Sequence, residues 1–280
     1  MRFSKKIASL ATILTFLILS PATAFAATSA TLSGADSYSV IGDSVTCTGA
    51  STVNFNVGAS PGSSITGFPV PCVDGPPGVT HSADASAAAA QADNTAAFTF
   101  INQGCDVTYG GVQDLTLVSP LVAGTYCSTG SFILTGNLTL SGTGVWIFKS
   151  ASTIVTSPGS SVTGGNACNI WWRAVSSVTL DTTTSFRGNV LALASITMNN
   201  GATLNGRLMA QTAAVTLDNN VITTSSCIAA PTPTPTGIPG LPQTDLSTPE
   251  GNNSGLAIVV AIAAVSSGAY LIQKRYKVSI

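Results

Sequence analysis

The chain has 280 residues, a formal net charge of −1 and only 8% charged side chains, against about 25% in an ordinary soluble domain. Between Ala27 and Cys227 stand nine Asp, no Glu, Lys149, Arg173, Arg187 and Arg207; four cations against nine carboxylates leave a net −5. Nucleic-acid binding needs clustered cations that release condensed counterions, so that partner is excluded.

Residues 1–26 open with Arg2, Lys5 and Lys6, continue through an apolar run from Ile7 to Leu19, and end on Ala24-Phe25-Ala26. This is the pattern of a signal peptide; the apolar run is too short for a membrane-spanning helix. The six cysteines (Cys47, Cys72, Cys105, Cys127, Cys168, Cys227) all follow it. An even number in an oxidising compartment favours disulfides over metal ligands. Fifteen pairings are open in principle; proximity in the chain favours Cys47 with Cys72 and Cys105 with Cys127, leaving Cys168 with Cys227. With no Cys-x-x-Cys and His81 as the sole imidazole, no metal site or cofactor is expected.

The octapeptide Ser60-Pro61-Gly62-Ser63-Ser64-Ile65-Thr66-Gly67 returns almost unchanged as Ser157-Pro158-Gly159-Ser160-Ser161-Val162-Thr163-Gly164. Between the copies lies an Ala-rich stretch that predicts one helix over about 82–102, with Ser82 as N-cap, Asp84 near the positive end of the dipole and Gly104 as stop. His81, just before it, reads as a helix-entry contact.

From Asn137 to Thr224 the sequence repeats. Val178-Thr179-Leu180, Ile196-Thr197-Met198 and Val215-Thr216-Leu217 recur, with Leu138-Thr139-Leu140 and Ile154-Val155-Thr156 as less regular members. Each is apolar-polar-apolar, the mark of a half-buried strand. A second strand follows at Ser161-Val162-Thr163, Ser185-Phe186-Arg187 and Thr203-Leu204-Asn205. A third, apolar on both faces, follows at Val145–Phe148, Asn169–Trp172, Val190–Leu193 and Leu208–Gln211. Three short strands per coil of about 18 residues, with Gly, Asn, Asp and Ser corners, predict a mostly β, triangular β-solenoid, broken by the helix. Strands apolar on both sides must be covered on both sides, so the helix is expected over the third face, with Trp146, Trp171 and Trp172 as core beneath it.

After residue 228 the chain changes character. Residues 229–255 contain the alternating Pro231-to-Thr236 stalk and Leu241-Pro242-Gln243-Thr244-Asp245; an apolar run over 256–272 and a basic tail over 273–280 follow. The order resembles a Gram-positive cell-wall sorting signal, with Asp245 where that pattern has Gly. The expectation is attachment to a membrane or cell wall, with the domain displayed outside the cell.

The run from Gly188 to Arg207, together with Ser60-Pro61-Gly62, His81-Ser82-Ala83-Asp84, Ala123-Gly124-Thr125-Tyr126-Cys127 and Ala167-Cys168-Asn169-Ile170-Trp171-Trp172, resembles the large microbial ice-binding protein family. The resemblance implies a right-handed discontinuous solenoid with a flanking helix, and adsorption to ice through one flat face without catalysis. Ice would then be the partner of a monomeric domain, serving either to inhibit recrystallisation or to hold the cell to ice.

Two faces compete for that role. The first offers Thr139, Thr179, Thr197 and Thr216, interrupted by Val155, beside Asn137, Thr153, Ser177, Ser195 and Ala214. The other offers Ser161, Ser185, Thr203 and Val221 beside Thr163, Arg187, Asn205 and Thr223. The first is favoured because Arg187 is long and strongly hydrated. Plain β-propensity also explains any single outward Thr. Two further functions compete: a non-enzymatic surface adhesin or envelope protein that recognises glycan or other cells, and a glycan-active enzyme. The latter would use Asp181 and Asp218, roughly 9 to 10 Å apart by strand spacing, although corners prefer Asp and Asn for their own backbone hydrogen bonds.

Overall fold

The structure is a computed structural model describing residues 26–224 and residue 227. All of these belong to the first of two units, 1–230 and 231–280. The signal-peptide reading, but for Ala26, and the linker, apolar-run and basic-tail readings lie outside the described residues.

The recurrent triplets form strands that pair in parallel, residue on residue. Phe132–Leu134, Ile154–Thr156, Val178–Leu180, Ile196–Met198 and Ala214–Asp218 stack in this order within one eight-stranded sheet. The flanking residues of each triplet, apolar but for Thr156, point inward and are buried, while the middle one faces out. Period-two alternation thus becomes one column of outward side chains per strand position. A 14-stranded sheet supplies the other two faces. In two coils a single strand, Ser185–Ala192 or Thr203–Ala210, runs round the corner between them. The sequence reads two separate strands in each of these coils.

That corner turns on stacked glycines. Gly188 pairs with Gly206, and both have positive φ, +112° and +152°. A Cβ on Gly206 would stand 1.9 Å from the Gly188 carbonyl oxygen, so only glycine lets the two coils close to ladder distance there. The two octapeptides obey the same rule. A Cβ on Gly67 would meet Cys47 O at 1.9 Å, and one on Gly164 would meet Leu140 O at 2.1 Å.

The chain does not fill the solenoid from one end to the other. Ser44–Thr48 pairs with Ala214–Asp218, Ile65–Thr66 pairs with Ser44–Thr48, and Tyr38–Gly42 lies against the Leu208–Met209 portion of its neighbour. Residues 38–82 therefore stack beyond the last coil to be made. Helix α1 (Ala85–Phe100) then carries the chain to the other end, where Val107–Tyr109 and Gln113–Asp114 are the edge strands. Its cap is Asp84, whose side chain accepts from Ala87 N at 2.8 Å. The expected cap, Ser82, instead ends the strand Thr80–Ser82 and donates to Ser63 O.

Ala87, Ala90, Gln91, Asn94, Ala97 and Phe98 form the buried stripe of α1. Leu191 and Met209 pack outward in its cluster, whereas Val190 and Leu208 point into the coil interior, as double-sided apolarity requires. Of the tryptophans only Trp171 lies with the helix cluster. Trp146 and Trp172 are inside the coils, where the Trp172 ring stacks on Phe148 at 4.1 Å. Arg173 and Lys149 serve the helix's carboxyl end: Arg173 Nε donates to Phe98 O at 3.1 Å and Lys149 Nζ to Gln103 O. Cations are favourable at that end of the dipole.

The disulfides are Cys47–Cys72, Cys105–Cys127 and Cys168–Cys227, the pairing that proximity favours. Beside the last, the buried Arg207 forms an ion pair with Asp36 at 2.6 Å, joining the amino-terminal segment to the final coils.

Gly206→Ala is expected to destabilise the domain by more than about 3 kcal/mol, because backbone strain and a backbone clash act together. Denaturant melts would show it as a large fall in midpoint; an unchanged midpoint would contradict the close-approach account.

Candidate functional site: two ladder faces

On the eight-stranded sheet the outward column reads Asp114, Ile133, Val155, Thr179, Thr197, Thr216, Thr46, Thr66. Five threonines occupy consecutive coils. Thr46 and Thr66 are absent from the sequence reading, because nothing local says that the amino-terminal coils stack on the carboxyl-terminal one. The octapeptide repeat signals a coil around Thr66 but not its neighbour. Among the described residues, none of these five threonine hydroxyls bonds to another protein group.

The column beside it carries Ser131, Thr153, Ser177, Ser195, Ala214, Ser44 and Ser64. Here the hydroxyls are tied together: Ser131 to Thr153 at 2.8 Å and Ser177 to Ser195 at 3.0 Å. The two columns thus differ, one with two hydroxyl pairs bonded along the ladder and one presenting unengaged hydroxyls and methyls to solvent.

Thr139 and Asn137 do not belong to this face. Asn137–Leu140 pairs with Ser161–Gly164, setting Asn137 against Ser161 and Thr139 against Thr163 on the other face. The misplacement has a simple cause: Leu138-Thr139-Leu140 shows the apolar-polar-apolar alternation, whereas Phe132-Ile133-Leu134, the strand that takes this place on the face, is apolar throughout.

The other face carries Asn137, Ser161, Ser185, Thr203, Val221 and Thr52 in one column, with Asn205 and Thr223 paired in the next. Its polar groups engage one another at one end, where Asn137 Oδ1 accepts from Ser161 Oγ at 2.8 Å and from Thr163 Oγ1 at 3.2 Å. Towards the other end it sinks into a depression of about 240 Å³ bordered by Ser185, Arg187, Thr203, Asn205, Val221 and Thr223. It is therefore neither flat nor free of charge.

The corner acids are held by hydrogen bonds within the corners, Asp181 from backbone and side chain and Asp218 from side chains. Asp181 accepts from Thr182 N at 2.7 Å and Asn199 Nδ2 at 3.0 Å, and the Asn199 amide followed by this backbone bond holds its carboxyl below the usual range. Asp218 accepts from Asn200 Nδ2 at 3.3 Å. His81 Nδ1 lies 2.7 Å from Asp84 Oδ2 at the helix entry. The bond from Ala87 N, then that from His81, holds the Asp84 carboxyl low as well. At Asp114 burial pushes the carboxyl up, but hydrogen bonds from Thr135 and Thr116 outweigh it, and the net shift is downward. Among the described residues no group of His, Cys, Asp or Glu is placed to hold a metal ion.

A broken parallel solenoid with a helix along one face, a hydroxyl-bearing ladder on a second and a pitted third belongs to the class of discontinuous β-solenoids that carry their outward side chains in register. Residues 40–223 match the ice-binding-like family, and the chain belongs to it. An ice-binding protein of Nostoc sp. (strain HG1) is 38% identical over 217 residues, 74% of this chain and 78% of that one. Among solved structures, an ice-binding protein from an Antarctic biological consortium is 37% identical with a TM-score of 0.65, covering 73% of this chain and 95% of that one. The ice-binding protein of the Antarctic ascomycete Antarctomyces psychrotrophicus is 34% identical with a TM-score of 0.63, over 70% and 98%.

Asp84, Asp114 and Asp181 each have a folded-state carboxyl pKa depressed below the ordinary 3.8. Their contribution to stability is present above that value and is lost as pH falls through the folded pKa values. Melting temperature is expected to hold from about pH 7 to pH 5 and to drop below about pH 4. Circular dichroism melts would check this, and a profile flat to pH 3 would contradict it.

Proposed function

We propose that the chain is an ice-binding protein that adsorbs through the eight-stranded face, centred on Thr179, Thr197, Thr216, Thr46 and Thr66 and flanked by Thr153, Ser177 and Ser195. The observation that carries the reading is this column of five in-register threonines whose hydroxyls, among the described residues, bond to no other protein group. Parallel ladders repeat at about 4.8 Å across coils and about 7 Å along a strand. Methyl and hydroxyl groups held on that grid can order first-shell water before contact. Little ordering then remains at adsorption, the general advantage of a preorganised surface.

The other face fits this role less well. Its hydroxyls are partly spent on one another, and Arg187 and the depression break the plane. Thr139, Ser161, Thr163, Ser185, Thr203, Asn205 and Thr223 are accordingly placed outside the ice-contacting set, and no catalytic role is assigned to Asp181 or Asp218. The amino-terminal sequence supports export, and the Leu241-to-Asp245 motif with its apolar and basic sequel supports display at the cell surface by membrane or wall attachment. A displayed domain on a stalk suits attachment of a cell to ice as well as inhibition of recrystallisation.

In the full-length protein, Thr197→Tyr is expected to abolish ice-affinity partitioning and thermal hysteresis, since a phenol projecting from mid-column lifts the face from the crystal. Ser161→Tyr, on the other face, should partition as the unaltered protein does. Undiminished partitioning of Thr197→Tyr would refute this choice of face, and failure of the unaltered protein to partition would refute ice binding itself.

A further inference from the structure

The depression on the other face has a chemistry that ice adsorption does not use. Arg187 is the one charged side chain among its bordering residues. One guanidinium N–H donates to Gly165 O at 3.1 Å, and among the described residues no carboxylate lies within ion-pair distance of Arg187. An arginine carries five donors in a fixed fork suited to a carboxylate. Next to it, Asn205 Oδ1 is buried and accepts no hydrogen bond, an arrangement with a desolvation cost that a donor would relieve. Among the described residues no hydrogen bond ties that amide in its present orientation, so turning it toward a ligand breaks none. Around them stand the exposed hydroxyls of Ser185, Thr203 and Thr223, with Val221, 48% exposed, as an apolar shoulder.

We propose that this depression binds the carboxylated sugar ring of an acidic polysaccharide, a hexuronate unit, independently of ice. The sugar carboxylate takes the fork of Arg187, a ring hydroxyl donates to Asn205 Oδ1, other hydroxyls exchange bonds with Ser185, Thr203 and Thr223, and the C–H face of the ring rests on Val221. The volume of about 240 Å³ suits one pyranose ring. A bare phosphate would satisfy the arginine but neither the amide nor the apolar shoulder, and a neutral sugar would leave the arginine unpaired. The site lies on a different face from the threonine column, so one protein can hold ice on one side and an acidic matrix on another.

The test is calorimetric titration of the full-length protein with an oligogalacturonate, a neutral glucan oligomer and inorganic phosphate. The oligogalacturonate is expected to bind saturably, at least about tenfold more tightly than either comparison, a bidentate charged pair accounting for such a ratio. Arg187→Gln should weaken it by about tenfold or more and Asn205→Ala by several-fold. Thr197→Tyr should bind it unchanged, which separates this site from the ice face. Absence of saturable binding would overturn the proposal, as would phosphate or neutral glucan binding equally well. So would full affinity in both Arg187→Gln and Asn205→Ala at unchanged melting temperature.

Discussion

In-register parallel stacking at ladder distance is the constraint on which the rest of this molecule depends. A backbone carbonyl of one coil stands where a Cβ of the next would fall at Gly67, Gly164 and Gly206. The register is consequently fixed at the corners, and every other column inherits it. A slip by one residue would turn each inward apolar side chain to solvent, and the interior, with Phe148 and Trp172 stacked between successive coils, has no room for the exchange. Rigidity of the outer faces is thus a property of the core and corners rather than of the threonines themselves.

Much of this was legible in the sequence, because a solenoid writes its fold in local patterns. The apolar-polar-apolar triplets announce strands, doubly apolar third strands announce the helix-covered face, and the octapeptide announces coils on both sides of the helix. Stacking order is what local pattern cannot carry. Nearly the same motif puts Ile65-Thr66 on the eight-stranded face and Val162-Thr163 on another, since motif chemistry sets a corner and a strand but not which corner of the triangle. Leu138-Thr139-Leu140 likewise shows its strand but not its face, which the pairing with Ser161–Gly164 decides. Thr46 was invisible because its partner Thr216 lies 170 positions away.

The helix completes the division of labour among the faces. Without it the outward Trp171, Leu191 and Met209 would form an exposed apolar band, a site for association. Its small residues Ala87, Ala90 and Ala97 allow close approach, and Gln91 Nε2 bonds Ala210 O and Gln211 O at 2.9 and 2.8 Å, fixing the helix along the sheet. The chain's return path therefore runs over a face that needs cover, and among the described residues the helix does not cross the threonine ladder.

Breaking the solenoid also decides which coils meet. Had residues 38–82 stacked next to the Gln113–Asp114 strand in simple chain order, the threonine run would end at Thr216 and the column beyond Asp114 would begin anew. Placing them against Ala214–Asp218 instead extends an unbroken run with Thr46 and Thr66. The terminal strands on that side are short and bracketed by Pro69, Pro71, Pro76 and Pro77, and proline cannot donate to a further ladder bond. Discontinuity and termination thus act on the same end: the first lengthens the uncharged column, and the second discourages another chain from continuing it by edge pairing.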